Sequence, residues 1–205
     1  MSKLDKYKVN YTLETIPEDI DEKDKIIFEL IHEMANDNNS SKFREEITLN
    51  ICNYENSPGK LGEDGIDPVT NRKIEVKPQN GHNRNDTSKK LNGGGQFTDF
   101  THSRIQKYID NDILMVVSGF YNGKLKFIVQ FDFNSPTFLN HIKNKVCKAL
   151  PEGDQKSKYC RTADFGWNKW KDANNLKLMY ISPNIDNSMI SGPLLKLLNG
   201  LKIIP

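Results

Sequence analysis

Asp64, Glu75 and Lys77 are the residues whose types and spacing point most directly to chemistry. Asp64 lies eleven positions before Glu75, and a single residue separates Glu75 from Lys77. Carboxylates bind hard cations such as Mg²⁺, which keeps several waters and bridges to substrate phosphates. An ammonium group can orient or help to deprotonate an attacking water, and it can neutralise charge at a reacting phosphorus. Together these groups are what metal-assisted hydrolysis of a phosphodiester requires.

The local pattern predicts how these three side chains are brought together. Residues 65–68 and 73–77 have the composition of two short strands joined by a turn. Alternate residues of a strand share a face, so Glu75 and Lys77 are expected side by side, with their apolar neighbours on the opposite face. Glu-x-Lys is also common on solvated strands, so an unrelated α/β domain with an exposed strand face stays open.

The segment Gly59–Asp67 (GKLGEDGID), followed by Glu75-Val76-Lys77, resembles the PD-(D/E)xK nuclease superfamily. More narrowly, it resembles type II restriction endonucleases of the PvuII type. The resemblance is close over about twenty residues and looser over about seventy, as far as Phe133. It implies a restriction-endonuclease-like fold of the α/β (α+β) class, with a central mixed sheet flanked by helices. It also implies that Asp64 and Glu75 hold Mg²⁺ and that Lys77 is the catalytic lysine.

The function implied by the resemblance is Mg²⁺-dependent, sequence-specific cleavage of double-stranded DNA that leaves 5′-phosphate ends. A homodimer is expected because its two-fold symmetry suits a palindromic site, and no organic cofactor is implied. A homing, phage, repair or nicking enzyme of the same superfamily remains an alternative. From a different class, a catalytically silent nucleic-acid-binding module also remains.

Two further carboxylates are candidates for the metal site. Glu46 lies on the predicted helix before the motif and is either an additional metal ligand or a surface residue. Asp67 either joins the metal site through water or, as we favour, forms a turn before Pro68. The resembling enzymes carry an acidic residue at the position of Leu61, so the number of metal ions stays open.

A basic, polar region after the motif is the predicted DNA-binding surface. Residues 72–90 carry six basic and two acidic side chains, and such charge binds phosphates with a strong salt dependence. Amide, hydroxyl, imidazole and guanidinium groups can reach base edges. The candidate DNA-binding residues are Asn80, His82, Asn83, Arg84, Lys89, Lys90, Gln96, Thr98, Thr101, His102 and Arg104.

The elements that must position these groups follow from hydrophobic periodicity and turn residues. The first predicted helix, residues 21–35, is expected to bury Ile26, Ile27, Leu30, Ile31 and Met34. Residues 79–96 are expected to form a long loop. The other predicted elements are helices at 41–54, 98–109, 135–150 and 194–198, and strands at 113–121, 124–133 and 176–182, with a hairpin turn at 122–123.

Length and composition limit the number of domains and the class of protein. The 205 residues are expected to form a single nuclease domain. Within it, residues 1–55 are expected to form N-terminal helices with a possible role in dimerisation, and residues 56–205 the catalytic, DNA-binding core. The first 67 residues carry 16 acidic and 8 basic side chains, whereas the rest carry 11 and 21, an asymmetry that favours an anionic partner. No apolar run suits a membrane span or signal peptide, and three cysteines indicate no disulfide framework. A cytoplasmic protein without membrane contact is expected.

Overall fold

The computed structural model describes residues 21–57, 62–82 and 86–201. Helices and strands alternate irregularly along these residues, with a short 3₁₀ turn at Trp167–Lys169. The helices are α1 Glu22–Asn36, α2 Ser41–Ile51, α3 His102–Asp110, α4 Pro136–Ala149 and α5 Gly192–Gly200. The strands are β1 Glu55–Asn56, β2 Gly65–Ile66, β3 Lys73–Gly81, β4 Gly95–Phe100, β5 Leu114–Tyr121, β6 Lys124–Asp132, β7 Cys160–Phe165 and β8 Lys177–Ile181.

A six-stranded sheet in the order β1-β2-β3-β5-β6-β8 forms the centre of the fold. β3 and β5 are parallel, and the other neighbouring strands are antiparallel. Strands β4 and β7 form a separate antiparallel ribbon. The expected α/β class, with a mixed central sheet flanked by helices, is therefore confirmed.

The sheet is covered on both faces, which explains the nearly continuous apolar sequence of β5. Val116 packs with residues of α2 on one face, whereas Val117 packs with α3, α4 and the β4-β7 ribbon on the other. The hairpin between β5 and β6 turns at Asn122 and Gly123, whose φ angles are 50° and 73°. Positive φ at both central residues is the geometry for which Asn-Gly is favoured, so this predicted turn is confirmed.

Two predictions in the region between β3 and α3 are wrong. The predicted loop at 79–96 is shorter, because β3 continues to Gly81 and β4 begins at Gly95. The predicted helix at 98–109 begins only at His102, since residues 95–100 pair with β7 as a strand. The partner strand lies more than sixty positions away, so the local pattern carries no sign of this pairing.

Helix α1 forms as predicted, but its expected buried face is exposed. Ile26, Leu30 and Met34 are about half exposed, and Ile27 is 38% exposed. The helix instead buries Phe28 and Ala35 against α2 and the β5-β6 strands. A long apolar stripe on this helix therefore faces away from the described core.

Candidate active site

The structure brings Asp64, Glu75 and Lys77 together beside strand β3. Asp64 directly precedes β2, and its Oδ2 accepts a hydrogen bond from the Val76 N–H at 2.8 Å. Glu75 and Lys77 project from the same face of β3, and the Lys77 ammonium donates to Glu75 Oε1. Ile74 packs into the core on the opposite face. The strand geometry predicted from the sequence is thus confirmed.

The site concentrates negative charge in a partly buried place. Burial, followed by the charges of Glu75 and Glu45, raises the pKa of the Asp64 carboxyl to about 7. Burial opposes the charge of Lys77, but the carboxylates of Glu75 and Asp64 outweigh it and raise the Lys77 pKa. One ammonium thus faces three carboxyl groups, and this excess of acidic groups favours the approach of a cation.

Tyr108, on α3, is a further residue that contacts Glu75. Glu75 is only 4% exposed, and the Tyr108 hydroxyl donates to its Oε2 at 2.8 Å. Burial and the Glu75 charge raise the pKa of Tyr108, which keeps the phenol protonated as a donor. This role was not predicted from the sequence, because Tyr108 fits the apolar face of α3. A buried phenol needs a hydrogen-bond partner, and that requirement was the available signal.

The helical carboxylate nearest the site is Glu45 rather than Glu46. Glu45 lines the same cleft as Lys77, and its charge acts on the pKa values of both Asp64 and Lys77. Its Oε1 accepts a hydrogen bond from the Ser41 hydroxyl at 3.0 Å. Glu46 is the next residue along α2, and its backbone carbonyl accepts from the Asn50 side chain. Neighbouring helix positions differ by about 100°, so a shift of one residue changes which side chain faces the cleft.

Asp67 is a turn residue, as favoured from the sequence. Its Oδ1 accepts from the Val69 N–H at 2.9 Å, and its Oδ2 accepts from the Thr70 hydroxyl at 2.6 Å. Although burial opposes its charge, these hydrogen bonds hold the pKa of Asp67 below its ordinary value. Both carboxylate oxygens therefore serve the turn between β2 and β3.

The donor set suits Mg²⁺ better than a metal held entirely by protein ligands. Within the described ranges, no three His, Cys, Asp or Glu side chains are grouped closely enough to bind a metal ion by themselves. Mg²⁺ commonly uses one or two carboxylates and completes its shell with waters and substrate phosphates. Asp64 and Glu75 provide that minimal set, and the raised pKa of Asp64 reflects burial first and then neighbouring negative charge, which a cation would compensate.

An open cleft of about 820 Å³ extends from Lys77 across the end of β3 to the β4-β7 ribbon. Four of the predicted DNA-binding residues line this cleft: Asn80, Lys89, Gln96 and Thr98. Lys89, Gln96 and Thr98 are exposed, whereas Asn80 is 8% exposed and donates to the Asn36 carbonyl at 3.2 Å. Asn80 therefore also holds α1 against the sheet.

The other predicted DNA-binding residues on α3 have structural roles. The Thr101 hydroxyl accepts from the Arg104 N–H at 3.2 Å and caps the helix. His102 Nε2 lies 2.9 Å from the Leu150 carbonyl. The Arg104 guanidinium lies 5.3 Å from the centre of the Phe100 ring. Through these contacts the three side chains pack against the core or cap the helix, which was not predicted from the sequence.

Four candidates remain, and the structure describes two of them, His82 and Lys90. The His82 ring packs against Tyr121, with centroids 5.1 Å apart, and its Nδ1 lies 2.7 Å from the Thr87 carbonyl. The Lys90 ammonium donates to the Asn187 carbonyl at 2.7 Å. Asn83 and Arg84 lie outside the described residues, as do residues 59–61 of the glycine-rich turn on which the resemblance rests.

The β4-β7 ribbon adds residues that were not predicted from the sequence. Gln96 pairs across the ribbon with Asp164, and Thr98 pairs with Thr162. All four side chains are exposed, and the Lys145 ammonium binds Asp164 at 2.7 Å. The ribbon therefore presents a polar face in the same cleft as Lys77, and its β7 half comes from a distant part of the chain.

Comparison with models of known protein families gives no match, and comparison with curated protein sequences gives none either. No helix in the described parts of the chain is long and apolar enough to cross a membrane.

Proposed function

We propose that this protein is a Mg²⁺-dependent endonuclease of double-stranded DNA, with a restriction-endonuclease-like fold and type II, site-specific activity. The observation that carries the proposal is the meeting of Asp64, Glu75 and Lys77 beside an open, polar cleft. A protein that only binds DNA gains nothing from carboxylates facing phosphates, because those charges repel each other.

Each residue of the site has a distinct part in the proposed reaction. Asp64 and Glu75 would hold Mg²⁺, which supplies Lewis-acid polarisation of a phosphate oxygen and lowers the pKa of a bound water. Lys77 stays charged beside Glu75 and stabilises negative charge that develops on the phosphate oxygens. Tyr108 holds the Glu75 carboxylate in place through its hydroxyl. Cleavage is expected to leave a 5′-phosphate and a 3′-hydroxyl.

The cleft supports a polymeric, anionic substrate. Lys89 offers an exposed ammonium for the backbone, and the ribbon face offers Gln96 and Thr98. A two-stranded ribbon fits the major groove, where amide and hydroxyl groups read base edges. Site-specific cleavage is therefore favoured over degradation without sequence preference.

A homodimer is part of the proposal. Ile26, Leu30 and Met34 follow one another at four-residue intervals on α1, and all three are about half exposed. An apolar stripe of this kind is typical of a helix that packs against another surface. A second copy of the chain would cover it and supply the second active site needed to cut both strands of a palindrome.

The test is cleavage of a plasmid in Mg²⁺ or in a chelator, with two pairs of matched variants. Asp64→Asn and Lys77→Met are expected to lower the cleavage rate by about 100-fold to 1000-fold, the usual cost of losing one electrostatic contact to a transition state. Asp67→Asn and Lys73→Met change the same residue types at nearby positions and should cut normally. Equal rates for the two sets of variants would contradict the assigned site, and absence of Mg²⁺-dependent cleavage by the unmodified protein would contradict the function.

Sequencing the ends of cut DNA distinguishes the remaining possibilities. Discrete ends with 5′-phosphates are expected for a site-specific enzyme. A continuous distribution of ends would indicate a nonspecific nuclease of the same chemistry.

A further inference from the structure

The Lys77 side chain touches an aromatic ring as well as a carboxylate. Its side chain is 18% exposed, and its ammonium lies 5.1 Å from the centre of the Phe97 ring. That distance is within the range in which the negative face of a ring attracts a cation, and the attraction is stronger where water is excluded. A lysine side chain has four flexible carbons, so the contact with the Phe97 ring, in addition to that with Glu75, restricts the position of the ammonium.

The Phe97 ring is itself held firmly by its neighbours. It is 2% exposed and stacks on Phe100 with centroids 4.6 Å apart. Its distances to the Tyr108 and Phe133 rings are 6.0 and 6.1 Å, with edge-to-face geometry. Since such cores are closely packed, the ring has one orientation, and its face toward Lys77 is fixed.

The glycine before this ring lets β4 approach β3. A Cβ atom on Gly95 would lie 2.7 Å from Lys77 Cβ, which is closer than carbon atoms pack. The segment before β4 is also tied to β3, because Gln79 Nε2 donates to Asn92 Oδ1 at 2.6 Å and the Asn92 N–H donates to Gln79 Oε1 at 2.9 Å. These contacts place the Phe97 ring beside the Lys77 stem.

We propose that Phe97 is a positioning residue of the active site, whose ring face holds the Lys77 ammonium beside Glu75 and toward the cleft. The inference rests on the proposed nuclease function for its catalytic consequence, but the contact itself is independent of that function. Tyr108 belongs to the same aromatic cluster and binds Glu75. One group of rings therefore holds both members of the ion pair.

The first test compares Phe97→Leu with Phe138→Leu. Both phenylalanines lie in the same core cluster and are essentially buried, so both changes remove one ring from it. Only Phe97 faces Lys77. Phe97→Leu is expected to lower kcat for DNA cleavage by about tenfold with KM unchanged, while Phe138→Leu keeps kcat. Melting temperatures of both variants show whether the two folds are equally affected.

The second test detects the contact without any cleavage. In protein labelled with ¹³C-lysine, the εCH₂ protons of Lys77, assigned by their loss in Lys77→Arg, should resonate upfield of those of other lysines because of the ring current. Phe97→Leu should abolish that shift, and Phe138→Leu should keep it. An unshifted Lys77 resonance, or equal loss of kcat in the two leucine variants, would overturn the inference.

The two measurements also separate this inference from the proposed function. If the unmodified protein does not cut DNA, the nuclease function and the catalytic consequence fail together, while an upfield Lys77 resonance still supports the contact. If it cuts but the resonance is unshifted, the function stands and the positioning role of Phe97 is wrong.

Discussion

The buried charge of Asp64 destabilises the folded protein, and Asp64→Asn should remove this destabilisation. The carboxyl is partly buried beside Glu75 and Glu45, and its pKa is raised from 3.8 to about 7. Asparagine keeps an oxygen that can accept from the Val76 N–H, so the variant removes the charge while preserving the hydrogen bond. We therefore expect the variant to be inactive but more stable.

The sign and size of the effect follow from proton linkage. An acid whose pKa is higher in the folded state binds its proton more tightly there, so its contribution to stability falls as the pH rises. The loss begins near pH 4, where the unfolded chain ionises, and is complete above about pH 7. A displacement from 3.8 to about 7 corresponds to about 4 kcal/mol at most. Between pH 5 and pH 8, the advantage of Asp64→Asn should grow by about 2–3 kcal/mol.

The assay is urea unfolding of both proteins at pH 5 and pH 8, first in a chelator and then with Mg²⁺. Comparing the two proteins at each pH cancels the contributions of titrating groups that lie away from the site. Mg²⁺ should stabilise the unmodified protein at pH 8 by about 2.7 kcal/mol when its concentration is 100 times Kd. It should stabilise Asp64→Asn much less, because one carboxylate of the site is missing.

Asp67→Asn is the matched control. The charge of Asp67 is favoured by hydrogen bonds from Val69 and Thr70, so its removal should not raise stability at pH 8. The reasoning is refuted if Asp64→Asn is no more stable than the unmodified protein at pH 8, or if its advantage is as large at pH 5.

Three further predictions test other parts of the structure. Tyr108→Phe leaves a buried oxygen of Glu75 without its donor, so urea unfolding should show that the free energy of unfolding falls by about 1–3 kcal/mol. Cleavage by this variant should need about 10–100-fold more Mg²⁺. Tyr159→Phe, at a half-exposed ring, should have neither effect. Leu30→Glu places a charge in the exposed stripe of α1, so sedimentation should show monomers, whereas dimers are expected for the unmodified protein. Lys89→Ala removes one cleft ammonium, so the slope of log affinity for DNA against log salt should become shallower by about one.

Elements whose signals are local were predictable from the sequence. The β5-β6 hairpin combines an Asn-Gly turn with apolar and alternating strands, and its residues are neighbours along the chain. Asp64, Glu75 and Lys77 were also predictable, because a short hairpin and strand alternation are enough to bring them together.

Features that depend on distant residues were not predictable. Residues 95–100 form a strand only because β7 pairs with them, so the local pattern alone predicted a loop as far as residue 96 and a helix from residue 98. The apolar stripe of α1 identified a helix correctly, but amphipathicity cannot say whether the apolar face meets the chain's own core or another surface. Tyr108 and Phe97 look like ordinary core residues until β3, β4 and α3 are placed together.

The pairing of β4 with β7 has a consequence for biosynthesis. β3 gains its parallel partner when β5 is made, but β4, which carries Phe97, has no strand partner until residues 160–165 emerge. Long-range pairings of this kind form late, because a large loop must close before they contribute. A nascent chain that holds Asp64, Glu75 and Lys77 therefore still has an incomplete cleft until residues 160–165 have been synthesised. The proposed activity should appear abruptly once β7 has been made rather than grow with chain length.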